Sequence, residues 1–324
     1  MSLRNDTLTA VPGIAVGHAE VSGWRSGCTV VLGPFRGAVE IGGSATGSRE
    51  LETLQPTHIV PRVDAVLLTG GSAWGLAAAD GVADWLEEQG RGYRTSVALV
   101  PIVPAAVLFD LEEGKARPTR TTGRTASERA SPDPVAQGRV GAGAGASVGK
   151  ILGGSGAMPT GVGSAALRSG GTVVGALVAL NALGDVLDRT GSIVAGARTE
   201  EGGFLNTSKF LRRETAPENF GDQGWPEDVS NTTLAVVATD APLSRIDLAR
   251  VARVAATALP RCISPVNTPF DGDIVFALST APSVAPLSSG EILSLGVVAR
   301  DVLEEAILRA ARPGVDGPEP RRGE

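Results

Sequence analysis

The chain has 324 residues, 42% of them hydrophobic and 20% charged, with 29 Lys and Arg against 35 Asp and Glu for a formal net charge of -6. That length allows one large domain or two ordinary ones, and the mix is that of a folded soluble protein rather than a disordered or fibrous one. With no Lys/Arg cluster nucleic acid is not expected as a partner, and two cysteines (Cys28, Cys262) with two histidines (His18, His58) supply neither a disulfide framework nor a zinc shell.

The start, MSLRNDTLTAVPGIAVGH, has no apolar stretch behind a basic end, so a cytoplasmic location is expected. Apolar, β-branched runs predict strands at Cys28 to Leu32 and Ala65 to Thr69. A helix is predicted over Trp74 to Gln89, with Val82, Trp85 and Leu86 on one side, acidic residues on the other and Gly90 as the stop. The run from Val97 to Phe109 is 13 residues long and contains Pro101 and Pro104. It is too short for the roughly 20 residues of a membrane helix, and it predicts buried strands at Val97 to Val100 and Ala105 to Phe109.

Glu112 to Arg139 is polar and rich in turn formers. Further strands are predicted at Thr172 to Leu180, Leu234 to Thr239 and Ile274 to Leu278, and a second polar segment, Thr199 to Ser230, reads as a linker, a mobile loop or a processing site. Ser244, with Asp247 three residues on, starts a helix to about Ala258 that Pro260 ends. Ser288 with Glu291 starts another, burying Ile292, Leu295, Val298, Val302 and Ile307 and stopping at Arg312. The tail VDGPEPRRGE is expected to be disordered. Strands in runs, not in strict alternation with helices, argue for an α+β fold with stacked sheets.

The Gly-rich run GAGAGASVGK from Gly141 to Lys150 fails three familiar patterns. Ala144 and Ile151 break a phosphate-binding loop, the residues after it do not open a helix as a dinucleotide site requires, and no histidine follows His58 to complete a triad with Ser147. Taken alone, the run reads as a strand passing close to a neighbouring layer. Lys150 stands out as one of only three lysines. The histidines read as structural, so a hydrolase built on this chain would find its base in a carboxylate, a lysine or an α-amine.

Asn231-Thr232-Thr233 lies between the second polar segment and a strand, where an N-terminal nucleophile could be made. Attack of the Thr232 hydroxyl on the Asn231 carbonyl, followed by hydrolysis of the ester, would free an α-amine whose ordinary pKa of about 7.7–8 suits a base near neutrality. The same residues also read as a turn before a β-former. Likewise Asp271-Gly272-Asp273 could orient an amine or hydroxyl, or form a turn.

Seven stretches in order make the chain resemble peptidase family S58, the P1 peptidases: VPGIAVGH, LLTGGSAWGLAAADGV, PIVPAAVLFDL, GRVGAGAGASVGK, ALNALGDV, NTTLAVVATDA and NTPFDGDIVFALST. The family includes the L-aminopeptidase/D-Ala-esterase, β-aminopeptidases and nylon-oligomer hydrolases. The resemblance implies a four-layer αββα sandwich of the N-terminal-nucleophile hydrolase type, a single catalytic domain over residues 1–311, and a tail over 312–324. It implies self-cleavage between Asn231 and Thr232 into parts of 231 and 93 residues (324 − 231) that stay associated. Thr232 would be the nucleophile, Lys150 a cation beside it, Asn181 the oxyanion donor, and Asp271 and Asp273 the acids that position the nucleophile and its amine. Phe109 stands where some members carry an active-site Tyr and so brings no hydroxyl, and Phe109 and Trp74 are expected to line the substrate site. The expected reaction is hydrolysis of short peptides or amides through an acyl-enzyme without a cofactor, in a homo-oligomer. The alternatives are an acyltransferase resembling ornithine acetyltransferase, which would pass the acyl group to an amine, and a binding protein that kept the fold.

Overall fold

The computed structural model describes residues 3–111, 116–213 and 231–312. The tail from residue 313 and most of the segment before Asn231 lie outside these described residues.

Nine strands build the centre of the molecule: β1 (Ala15–Glu20), β2 (Gly27–Ile41), β3 (Gly47–Arg49), β4 (Val63–Thr69), β5 (Ala105–Val107), β6 (Val162–Ser169), β7 (Thr172–Asn181), β8 (Thr232–Thr239) and β9 (Ile274–Ser279). The path β6-β7-β8-β9-β2-β4-β5-β3, with β1 also on β2, is two sheets joined through the long β2. Its first half, Cys28 to Leu32, pairs with β1 and β4, and its second half, Arg36 to Ile41, pairs with β9. The register shifts between Leu32 and Phe35, around Gly33-Pro34, where proline has no N–H to give the ladder. That dipeptide reads as an end in the sequence, which is why only Cys28 to Leu32 was legible.

Period-two alternation assigns each side chain to a layer. Leu234 and Val236 of β8, Leu177 of β7 and Ile274 and Phe276 of β9 pack face to face with Val31, Val66 and Leu68 of the other sheet. The intervening Ala235, Val237, Val178 and Ala277 face outward, under α3 (Arg245–Ala256) and α4 (Ser289–Ala310). On the far side, Val30, Leu32, Ala65 and Leu67 are covered by Ala78, Val82 and Leu86 of α1 (Ala78–Glu88) and Ala126 of α2 (Arg120–Glu128). Helices, sheet, sheet and helices thus form the αββα sandwich. Phe276 is fully buried between the sheets, so Phe276→Ala is expected to cost about 3–5 kcal/mol, read as a lowered urea midpoint.

The helix expected from Trp74 is broken into a turn, Ser72–Gly75, and α1. Ser244 and Ser288 cap α3 and α4 as read, each accepting the N–H three residues on, and α4 ends at Ala310. Pro260 does not end α3, which stops at Ala256; it sits in the first turn of a short helix, Ala258–Cys262, where its missing N–H costs nothing. The strand expected from Val97 shrinks to Leu99–Val100, and Val97 is 91% exposed. The Gly-rich run is a turn, Gly141–Gly143, and a loop leading to the two-residue strand Ser147–Val148, not a continuous strand. Strands β1, β3 and β6 and helix α2 went unpredicted, the last inside a segment read as polar and rich in turn formers. Among the described residues, no helix is long and apolar enough to cross a membrane.

Candidate active site

Strand register brings the site together. Strand β8 runs antiparallel to β7 with Thr232 opposite Asn181, and parallel to β9 with Leu234 opposite Ile274. The end of β7 and the starts of β8 and β9 therefore meet at one edge, where Asn231 also bridges to Asp271. Thr232 is buried, and its hydroxyl donates to the Asn231 carbonyl oxygen at 2.5 Å. The same oxygen accepts the Gly272 N–H at 3.0 Å, a donor that sequence reading did not identify. Both polar atoms of the Asn231 side chain are buried without a hydrogen-bond partner, a cost of about 1–3 kcal/mol for such a group.

Asp273 accepts the Thr233 N–H on Oδ1 at 2.6 Å and the Asn267 N–H on Oδ2 at 3.3 Å. It thus holds the residue next to Thr232. Asp271 accepts the Thr268 N–H at 2.8 Å, while its carbonyl accepts the N–H groups of Ser44 and Ala45 at 2.9 Å each. A cavity of about 170 Å³, lined in part by Glu40, Arg253 and Asn267, reaches Asp273 from the side of α3.

Lys150 is docked on the loop after β7, with its N–H on Leu183 O at 3.1 Å. Its buried ammonium donates to Asn181 Oδ1 at 2.5 Å and to Asn181 O at 3.3 Å. Asn181 Oδ1 also accepts the Ser147 N–H at 3.2 Å, and its Nδ2 donates to Phe109 O at 3.0 Å. Phe109 therefore meets the cluster through its carbonyl. Trp74 is 60% exposed, with the Arg117 guanidinium 4.0 Å from its ring centroid. The histidines are tied elsewhere: His18 Nδ1 lies 2.9 Å from Thr29 Oγ1, and His58 Nδ1 accepts the Val60 N–H at 3.2 Å.

Burial dominates the electrostatics. It brings Lys150 down from 10.5 to about 7, opposed by the charges of Asp110 and Asp271. Burial, reinforced by the neighbouring Asp271, takes Asp273 up from 3.8 to about 7. Burial also raises Asp271 and Asp110, against hydrogen bonds and the Lys150 charge. Asp110 was legible only as a letter in PIVPAAVLFDL, with nothing in its spacing to mark it as buried.

These shifts fix a pH dependence of stability. The folded-state value of Asp273 lies above its unfolded one, so its contribution is full below about pH 4 and is lost as the pH rises to about 7. The folded-state value of Lys150 lies below its unfolded one, so its contribution is full above about pH 10.5 and is lost as the pH falls to about 7. In the uncut chain the thermal midpoint is expected to rise from pH 7 toward 5, less so in Asp273→Asn, and from pH 7 toward 9, less so in Lys150→Met. Calorimetry across that range checks both slopes.

Peptidase family S58 matches residues 6–314. The chain belongs to peptidase family S58. This S58 hydrolase is 41% identical to an uncharacterized aminopeptidase of Mycobacterium leprae over 96% of its length and 91% of the relative's. It is 32% identical to the 6-aminohexanoate-oligomer endohydrolase of Kocuria sp. (strain KY2), over 93% of its own length and 84% of the relative's. Its fold is that of a Burkholderia sp. beta-aminopeptidase, with a TM-score of 0.70 at 22% identity, covering 96% and 87% of the two chains. It is also that of the L-aminopeptidase D-Ala-esterase/amidase of Ochrobactrum anthropi, a variant of the Ntn hydrolase fold, with a TM-score of 0.70 at 22% identity, covering 94% and 85%. The S58 protein is thus a peptidase or amidohydrolase on an N-terminal-nucleophile hydrolase fold.

Proposed function

We propose that this S58 protein cuts itself between Asn231 and Thr232 and then hydrolyses short peptides or amides with Thr232 as its nucleophile. The observation that carries the reading is the Thr232 hydroxyl on the Asn231 carbonyl, which the Gly272 N–H also polarises. In self-cleavage Thr232 Oγ1 adds to the Asn231 carbonyl carbon and gives up its proton, the one that the Thr232 nitrogen gains when the C–N bond breaks. Gly272 N–H and the Lys150 cation stabilise the resulting oxyanion. The C–N bond breaks as the Thr232 nitrogen takes a proton, and water then cleaves the ester. Asn231 leaves with a new carboxylate, and the cost of its unpartnered side chain is relieved.

The freed Thr232 amine takes the hydroxyl proton as the oxygen attacks a substrate carbonyl, and gives it to the departing amine. Asn181, opposite Thr232, serves as oxyanion donor through Nδ2, which has to turn from Phe109 O for this role. Asp273 fixes the strand start, and Asp271 carries negative charge suited to an ammonium. Water resolves the acyl-enzyme. The relatives' names, an aminopeptidase and a 6-aminohexanoate-oligomer endohydrolase, support an amide substrate with a free amine. The reading includes two parts that stay associated, a homo-oligomer and a cytoplasmic compartment.

The test is incubation of purified protein with dipeptides, aminoacyl p-nitroanilides and the 6-aminohexanoate trimer, with products identified by mass. Hydrolysis of at least one class, lost in Thr232→Ala, is expected. Hydrolysis that survives the substitution would reject the nucleophile, and acyl transfer to ornithine without hydrolysis would move the protein to the transferases.

A further inference from the structure

Asp110, one residue beyond Phe109, has no part in the reaction described above, yet the fold gives its carboxylate an enclosed place. Oδ1 accepts the Gly71 N–H at 2.7 Å, and Oδ2 is buried beside the Ser26 hydroxyl. A Cβ on Gly70 would fall 2.3 Å from Oδ2 and 2.5 Å from Ser26 Oγ, and one on Gly145 would fall 2.9 Å from both Cβ and Oδ2 of Asp110. Gly70 of the GGS motif thus leaves room for the acid, while Gly145 of GAGAGAS is pressed first by Arg25 O, 2.2 Å from such a Cβ, and then by the acid. An anion enclosed in this way costs free energy unless a cation offsets it. The charge of Lys150 acts on Asp110, on the loop after β5, and on Asp271, in the turn before β9, while the charge of Asp271 acts on Asp273. The segments are also linked by bonds: Lys150 holds Asn181 Oδ1 while Asn181 Nδ2 holds the carbonyl of Phe109, the neighbour of Asp110.

We propose that Asp110 is a positioning residue of this site, the buried counter-charge that keeps Lys150 an ammonium against Asn181 at the cleavage edge. It deepens the proposed function, on which it rests for its effect on processing, but the charge state of Lys150 can be read without any turnover. Removing the anion takes away a charge that favours the ammonium against burial, so Lys150 releases its proton at lower pH.

The experiment follows the Cε resonances of protein labelled with [6-13C]lysine, which has only Lys115, Lys150 and Lys209 to resolve. A Thr232→Ala background keeps the chain in one covalent state, and Lys150→Met assigns the signal. Asp110→Asn is expected to lower the Lys150 midpoint by more than about one pH unit, leaving about a tenth or less of it charged where half was before, and Asp110→Glu to restore most of the shift. In the chain with Thr232, the pH profile of self-cleavage should move the same way. An unchanged midpoint in a folded Asp110→Asn protein overturns the proposal. If Asp110→Asn does not fold, the pair Asp110→Asn/Lys150→Met is expected to regain folding because the buried ammonium that lost its Asp110 counter-charge is gone, and its failure to do so also overturns it. A shifted midpoint in a protein that never cleaves counts against the nucleophile reading and leaves the counter-charge standing.

Discussion

Thr232→Ala is expected to remain a single chain of 324 residues and to lose amide hydrolysis by at least about 10⁴-fold, the scale on which removing a nucleophile acts. The substitution deletes the one hydroxyl held on the Asn231 carbonyl and leaves β8 otherwise intact, because the ladder to Asn181 and the bond from Thr233 N–H to Asp273 involve main-chain groups. A folding defect is therefore a poor explanation for the loss, and the thermal midpoint should stay near that of uncut wild type. Thr232→Ser keeps the hydroxyl and should still cleave. Electrophoresis after prolonged incubation separates the outcomes, and fragments from the alanine protein would place the nucleophile elsewhere.

Lys150→Met is expected to slow self-cleavage by about 10²–10³-fold, as for loss of a donor to a developing oxyanion. The substitution removes the ammonium that holds Asn181 Oδ1 and leaves Asp110 and Asp271 buried without their cation. Breaking such an arrangement costs about 3–5 kcal/mol when the partner stays charged, and less here because both carboxyls are already raised and can take up protons. Stability should consequently recover as the pH is lowered. A Lys150→Met chain that cleaves at the wild-type rate would remove the lysine from the mechanism.

Much of the layer structure could be read from alternation alone. Leu234, Val236 and their neighbours in β8 are apolar on both faces, which marks a central strand, and the N-caps Ser244 and Ser288, the latter with a full capping box, placed α3 and α4 to within a few residues. Strands β1 and β6 were missed because AVGHAE and VGSAALRS mix glycine, alanine and polar residues and gain their stability from pairing with β2 and β7, which is a tertiary effect. Helix α2, RTTGRTASE, lacks an apolar face of any size; small residues press it against the sheet while Arg120 and Arg124 pair with Asp84 and Glu88 of α1. For the site, Thr232, Lys150, Asn181, Asp271 and Asp273 were individually ambiguous in the sequence. Register brings Asn181, Thr232 and Asp271 to one edge, and no local pattern encodes that meeting. Trp74, named for its place in a motif, lies exposed under Arg117, while Asp110 and the Gly272 N–H carry no sequence signal of their own.

The most direct test of the central claim is the intact mass of freshly purified protein, with N-terminal sequencing of any small fragment. The reading predicts a fragment of 93 residues (324 − 231) that begins Thr232-Thr233-Leu234, together with its 231-residue partner. A chain that stays whole after prolonged incubation, or that is cut at any other bond, would contradict it.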